Sequence, residues 1–258
     1  MTKEAIGRSM EIIVLGAGTA IPAIGRSPAG YLIRGGDTDI VLDMGSGTLS
    51  RLHTIGKSYR EIDNIFISHF HSDHVLDLIM LLQANNATPG WTRVTTLRIM
   101  GCSGLKKFID SVFLLFDGTV PENYQLDIVE LGPGRHSFPG FQLEAALTRH
   151  TSNSLAIRLE IEDRIIVYTG DAVECDELIT LARQANILIC ECSFLAGFET
   201  TDHFSADGCG RLAHKADAKR LILTHLYPET DDETALLQAQ NQFKGEIIVA
   251  RDNLVLDT

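Results

Sequence analysis

Three histidines and an aspartate fall within six positions at His69-Phe-His71-Ser-Asp73-His74. Imidazole nitrogens and carboxylate oxygens together are the donors that zinc and similar divalent ions take. His69 and His71 are two apart, so in extended backbone their side chains point the same way. Asp73 and His74 stand where an apolar helical pattern begins (Val75, Leu76, Leu78, Ile79, Leu81, Leu82), with Ser72 or Asp73 available to cap that helix. The change of direction between strand and helix lets two of these groups face one metal and two another. A chance polar loop accounts poorly for so dense a set.

The elements that must hold the cluster are legible around it. Residues 65–67, β-branched and aromatic, read as a buried strand that ends just before His69. Upstream, a strand at 11–15 runs into a tight turn through Gly16 and Gly18, and residues 31–34 and 39–42 form a hairpin about Gly35-Gly36. The two glycines imitate a dinucleotide fingerprint, but the third is absent, and Pro22 and Pro28 spoil the helix that should follow. Asp43 then closes a strand ahead of the turn Gly45-Ser-Gly47 and a helix. Downstream, strands are expected at 97–100, 124–131, 141–148, 155–161, 165–169, 187–190, 220–224, 246–250 and 253–256, with turn chemistry filling most of 117–140. Helices are expected at 104–116, 177–185, 205–214 and 233–243. Strands spread through both halves, helices interspersed and no long polar linker predict one layered domain over residues 1–258.

Composition narrows the class. A net charge of −12 argues against a broad nucleic-acid-binding surface. Five cysteines (Cys102, Cys175, Cys190, Cys192, Cys209) are odd in number and lack framework spacing, which fits a reducing cytoplasm. Cys190 and Cys192 alternate on a buried strand and read as core thiols rather than a metal site. The apolar run at 12–25 follows Lys3 and Arg8 as a signal peptide would, but Glu11, Gly16, Gly18 and Pro22 interrupt it. No stretch reaches membrane-spanning length. A cytoplasmic protein without membrane contact is expected.

Three more donors, His150, Asp171 and His225, each follow a predicted strand, where scaffolds place chemistry. Seven protein groups are too many for one catalytic zinc, which takes three and a water. They suit two metals roughly 3.5–4 Å apart that share a carboxylate and a bridging oxygen.

The pattern His-x-His-x-Asp-His, with the later donors in order, resembles the metallo-β-lactamase superfamily from Gly16 to His225. The resemblance implies an α+β fold, the four-layer αβ/βα sandwich. It also implies a division of ligands: His69, His71 and His150 on one metal, Asp73, His74 and His225 on the other, and Asp171 between them. Asp43 becomes an outer residue bracing the ligand loop, against the plainer alternative of a turn cap. Two divalent ions are implied, zinc first, with manganese and iron(II) sharing the same ligand types.

The C-terminal third resembles the ribonuclease Z branch. Cys190-Glu191-Cys192-Ser193-Phe194, His203-Phe-Ser205 and Leu223-Thr224-His225 stand where that branch has His-Glu-Ala-Thr, His-Ser-Thr and Leu-Thr-His. Glu191 matches the glutamate, and His203 the histidine that is not a ligand. Such a histidine can protonate a leaving alkoxide or hold a phosphate oxygen, with the neighbouring carboxylate fixing its tautomer. The resemblance thus implies a dinuclear phosphodiesterase acting through a metal-bridging hydroxide, with Asp73, His203 and Glu191 as catalytic residues and Asp73 orienting the hydroxide or taking its proton. The alternative is a carbonyl-ester hydrolase for a lactone, thioester or β-lactam, which the same metals would polarise. Diiron oxygen-reducing relatives carry glutamate where this chain keeps His71.

Two departures bear on the substrate. About twenty residues separate His150 from Asp171, leaving no room for the basic arm with which tRNA-processing members of the branch grip tRNA. Leu226-Tyr227-Pro228 replaces the branch's Ser-x-Arg-Tyr ending. A small phosphodiester or ester is therefore expected, and tRNA is not. Members of the branch often form dimers, so the resemblance allows a homodimer, without an exposed apolar stripe in the sequence to locate its interface.

Overall fold

In the computed structural model, residues 10–198 and 201–257 are described, so Lys3 and Arg8 lie outside the described residues. Strand β1 (Glu11–Gly16) shows how the layers are built. Ile12 and Val14 point into one apolar core, Ile13 and Leu15 into another. This is the period-two alternation of a strand covered on both faces.

The first half continues with β2 (Gly30–Gly35), β3 (Thr38–Leu42), α1 (Thr48–Thr54), β4 (Asn64–Ile67), α2 (Ser72–Ala87), β5 (Leu97–Gly101), α3 (Leu105–Leu115) and β6 (Leu126–Glu130). The second half holds β7 (Gly134–Phe138), β8 (Phe141–Leu147), β9 (Leu155–Ile161), β10 (Arg164–Tyr168), α4 (Asp176–Leu181), β11 (Ile187–Glu191), α5 (Ala206–Lys215), β12 (Arg220–Thr224), α6 (Asp232–Gln242), β13 (Glu246–Val249) and β14 (Val255–Asp257).

Two seven-stranded sheets result, ordered β14-β1-β2-β3-β4-β5-β6 and β13-β12-β11-β10-β9-β8-β7. Each begins as an antiparallel meander and then turns parallel, from β3 onward in the first and from β10 onward in the second. The parallel crossovers carry helices on the outer faces, as βαβ units require. One core lies between the sheets (Tyr31, Phe66, Ile157, Tyr168), and one lies under each helical layer. This is the four-layer αβ/βα sandwich. Cys190, Cys192 and Cys209 are free and buried in the core beneath α4–α6, as core thiols.

The parallel strands bring their carboxyl ends to one edge of both sheets, the edge where open α/β sheets bind ligands. Two glycines allow the close approaches this needs. Gly16 packs against the main chain at Ser27 and Pro28, so the paired glycines make a tight turn, and no helix follows it. Gly170 has φ 55°, and a Cβ there would stand 2.9 Å from Ser68 Cβ of the other sheet.

Three sequence expectations shift. Residue 71, neither 72 nor 73, occupies the cap position of α2, and no side chain caps the helix. The structural reason is that Asp73 points its carboxylate toward His225 instead. Residues 134–138 form β7 within the stretch read as mostly turns: it pairs with β8 although its own residues are largely exposed and weakly patterned. Helix α4 stops at Leu181, short of 185, where Gln184 adopts φ 54° and donates its amide to the Ala216 carbonyl.

Candidate metal centre

All seven donors foreseen from the sequence converge at the shared strand edge. His69 and His71 leave the end of β4, and Asp73 and His74 open α2. His150 follows β8, Asp171 follows β10, and His225 follows β12 with φ 56°. A non-glycine residue in left-handed backbone is strained, and such strain persists where surrounding packing fixes a site. Asp43 shares the conformation, also at φ 56°.

The seven donors divide into two sets, His69, His71, His150 and Asp171 in one and Asp73, His74 and His225 in the other, and His203 joins two further groups, with His150 and Asp202 and with Asp171 and His225. Asp171 divides its oxygens between them. Its Oδ2 lies 3.7 Å from His69 Nε2 and 3.5 Å from His150 Nε2. Its Oδ1 lies 3.4 Å from His74 Nε2 and 3.4 Å from His225 Nε2. Asp73 Oδ2 completes the second set, 3.4 Å from His225 Nε2 and 3.7 Å from His74 Nε2. In the first set His71 Nδ1 stands 3.1 Å from His150 Nε2.

These spacings fit cations better than hydrogen bonds. Donors about 2.0–2.1 Å from a tetrahedral zinc lie roughly 3.3–3.4 Å from one another. His69 Nε2, His74 Nε2 and Asp171 Oδ1 are fully buried and have no hydrogen-bond partner among the described residues. Buried polar atoms left bare are costly unless an ion or water completes them.

The outward-facing nitrogens explain why the inner ones carry lone pairs. His74 Nδ1 donates to Asp43 Oδ2 at 2.7 Å. Ser68 Oγ donates to Asp43 at 2.8 Å, so it accepts from His69 Nδ1 at 3.0 Å. His150 Nδ1 donates to the Asp202 carbonyl at 3.0 Å. Ser193 Oγ donates to Glu191 Oε2 at 2.8 Å and accepts from His225 Nδ1 at 3.3 Å. Each of these four rings therefore presents Nε2 inward as an acceptor, the arrangement of metal-binding histidines. Asp43 is no turn cap. Asp77 has that role, its Oδ2 accepting the amides of Gly47 and Leu49 at the start of α1.

Electrostatics agree. Burial, with His74 close by, pushes His69 down to about 2, so its ring stays neutral. Burial disfavours charge on His74, but Asp171 and Asp43 raise it well above its usual range, a field that favours any cation at Nε2. Burial would raise Asp171 and Asp73, yet both are held well below the usual carboxylate range by the imidazoles they face, Asp171 by His225 and His74, Asp73 by the close approach of His225 Nε2 and by His74.

His203 sits beside this cluster rather than within its core. One of its ring nitrogens lies within 4.8 Å of donor atoms on Asp171 and His225, and its ring centroid is 4.8 Å from that of His150. Nδ1 meets Glu191 Oε1 at 2.9 Å. Burial works against protonation, but that hydrogen bond and the Glu191 charge raise His203 from 6.5 to about 9. Glu191, fully buried, also accepts the Ala172 amide next to Asp171 at 2.9 Å and the Ser193 hydroxyl. Its two oxygens are thus engaged by Ala172, Ser193 and His203. A cavity of about 550 Å³ borders His203, lined also by Phe198, Phe204, Glu174 and Arg211.

Sequence reasoning assigned nothing to Ser68, Tyr168, Ser193 or the ring of Tyr227. Ser68 adjoins His69, and Ser193 lies in the stretch carrying Glu191, so adjacency was a usable signal for both. Tyr168 and Tyr227 gave none: the first is a core aromatic, and the second stacks on Phe194 with ring centroids 5.0 Å apart, 6.3 Å from His225.

A family model of the β-lactamase superfamily domain matches residues 38–226, and the chain belongs to the metallo-β-lactamase superfamily, in its ribonuclease Z-like branch. Among its relatives, the probable metallo-hydrolase YhfI of Bacillus subtilis is 28% identical over 251 residues, covering 95% of this chain and 99% of YhfI. The YhfI crystal structure superposes with a TM-score of 0.85 at 26% identity over 96% of this chain and 99% of that one. Ribonuclease Z of Thermococcus sibiricus is 26% identical over 294 residues, 94% of each chain. A diphosphatase of the PhnP family shares the fold at 18% identity, with a TM-score of 0.78 over 96% of this chain and 98% of its own. The chain is a metallo-hydrolase of this superfamily. No helix among the described residues is long and apolar enough to cross a membrane.

Proposed function

We propose that the protein is a dinuclear phosphodiesterase for a small phosphodiester. One divalent ion would be held by His69, His71 and His150, the other by Asp73, His74 and His225, and Asp171 would serve both; zinc is the first candidate for each. The observation that carries this reading is the division of Asp171, with Oδ2 facing His69 and His150 and Oδ1 facing His74 and His225. A metal pair supplies an electrophile for phosphoryl oxygens and lowers the pKa of a water toward about 7.

The chain's own residues do the rest. The raised His203 is protonated at neutral pH and gives its proton to the departing alkoxide. Glu191 fixes its tautomer through Nδ1. Asp73, with its depressed pKa, suits a ligand that stays ionised better than an acceptor of the water's proton. The cavity beside His203 has room for a small ester, and neither a basic arm nor net positive charge is present to grip tRNA. The reading places the single unit 1–258 in solution within the cytoplasm.

The test is hydrolysis of a chromogenic phosphodiester by zinc- and manganese-loaded protein, beside a lactone and a thioester. Phosphodiester turnover that falls in His203→Ala at unchanged metal content supports the reading. Lactone or thioester turnover alone would transfer the assignment to carbonyl esters.

A further inference from the structure

Asp43 is fully buried, and its carboxylate takes four hydrogen bonds from three residues. The Ser68 amide and hydroxyl donate at 2.7 and 2.8 Å, His74 Nδ1 at 2.7 Å, and the Tyr168 hydroxyl at 2.6 Å. Only Tyr168 comes from the second sheet. It is the last residue of β10 and stands three positions before Asp171. Ser68 and His74 follow β4 in the first sheet, and Asp43 follows β3.

That placement matters because His74 and Asp171 come from different sheets yet must meet at one point, where His74 Nε2 and Asp171 Oδ1 lie 3.4 Å apart. We infer that Tyr168 is a positioning residue chiefly for the metal position that His74 faces, because its hydroxyl shares Asp43 Oδ2 directly with His74 Nδ1 and straps the Asp171 strand to that pair. The inference rests on the metal reading proposed above. Among the described residues Asp43 has no Lys or Arg partner, so its buried oxygens depend on these donors for their hydrogen bonds. Burial, with the Asp43 charge, keeps the Tyr168 phenol protonated and therefore donating. The other set depends on Tyr168 less directly. Asp171 serves it through Oδ2, but His69 reaches Asp43 only by way of the Ser68 hydroxyl, Ser68 keeps its own amide bond to Asp43 Oδ1, and His150 leans on the Asp202 carbonyl.

A built-in control lies beside it. Tyr31 is equally buried in the same core, its ring centroid 5.2 Å from that of Tyr168, and its hydroxyl makes an equally short 2.6 Å bond, but to Thr224 rather than to the partner of a histidine ring. Tyr168→Phe and Tyr31→Phe thus remove the same atom from the same core, in one case from a carboxylate and in the other from a threonine hydroxyl.

The experiment follows stepwise zinc release from the wild type and both variants to a chromophoric chelator, with the metal-free melting temperature recorded for each. Tyr168→Phe is expected to weaken one of two zinc equivalents by about 10- to 100-fold, the usual effect of losing an outer partner, and to leave the other within about twofold. Tyr31→Phe should lower the melting temperature comparably and leave both equivalents within about twofold. Equal weakening of both equivalents in Tyr168→Phe, no weakening, or the same selective loss in Tyr31→Phe would each overturn the inference. Wild-type protein that binds no zinc would instead overturn the metal reading itself, and this inference with it.

Discussion

The two sheets meet at one site but deliver their residues in opposite ways. The first supplies His69, His71, Asp73 and His74 from one short stretch that runs from the end of β4 into the first turn of α2. The second supplies His150, Asp171, Glu191 and His225 from the ends of β8, β10, β11 and β12, one residue per strand. In the first sheet local backbone geometry fixes the spacing of the donors. In the second, strand register and the cross-sheet contacts at Asp43, Ser68 and Gly170 must fix it. The chemistry is shared evenly all the same, since each set of donors draws on both sheets.

The widest test of that even sharing removes one donor from each source. His74→Ala and His225→Ala should each cost about 10³-fold or more in turnover, because the electrophile at their position contributes several kcal/mol. Parallel assays with metal analysis check this, and a mild loss in either variant would break the parity. His203→Ala should cost about 10²- to 10⁴-fold with both metals retained, as expected for a lost general acid.

Glu191→Gln should act more gently, by roughly tenfold at neutral pH, and should change the pH profile. His203 is raised from 6.5 to about 9 chiefly by its bond to Glu191 and the charge there, against the effect of burial. Its acid form is present below its pKa and is lost as pH rises through it. Bound cations lower the absolute value in both proteins, so the comparison is what counts. The alkaline limb of kcat/KM should move to lower pH in the variant, and an unmoved limb would remove His203 from the acid role. The smallest effect is structural. Gly170→Ala places a methyl group against Ser68 across the sheets in left-handed backbone, and should destabilise by about 1–3 kcal/mol, read as a fall in melting temperature.

The same contrast between sheets governs what the sequence could disclose. The first four donors were plain because they fall within six positions and are flanked by an apolar strand and an apolar helical face. His150, Asp171 and His225 were visible only as residues after strands, and their pairing into two sets came from family likeness rather than from spacing. Local pattern failed where tertiary contact decides. Strand β7 is exposed and polar, and exists because it pairs with β8. The capping expectation for α2 failed because Asp73 turns inward. Tyr168 was invisible as a site residue, since a tyrosine closing an apolar strand reads as core until its hydroxyl is found on Asp43.

The most direct test of the central claim is metal stoichiometry, measured by elemental analysis of zinc-loaded wild type beside Asp171→Asn. Two zinc ions per chain are expected in the wild type and at most one in the variant, because an amide cannot present two anionic oxygens to two ions. A single zinc in the wild type, or two retained undiminished without the Asp171 carboxylate, would contradict the dinuclear account.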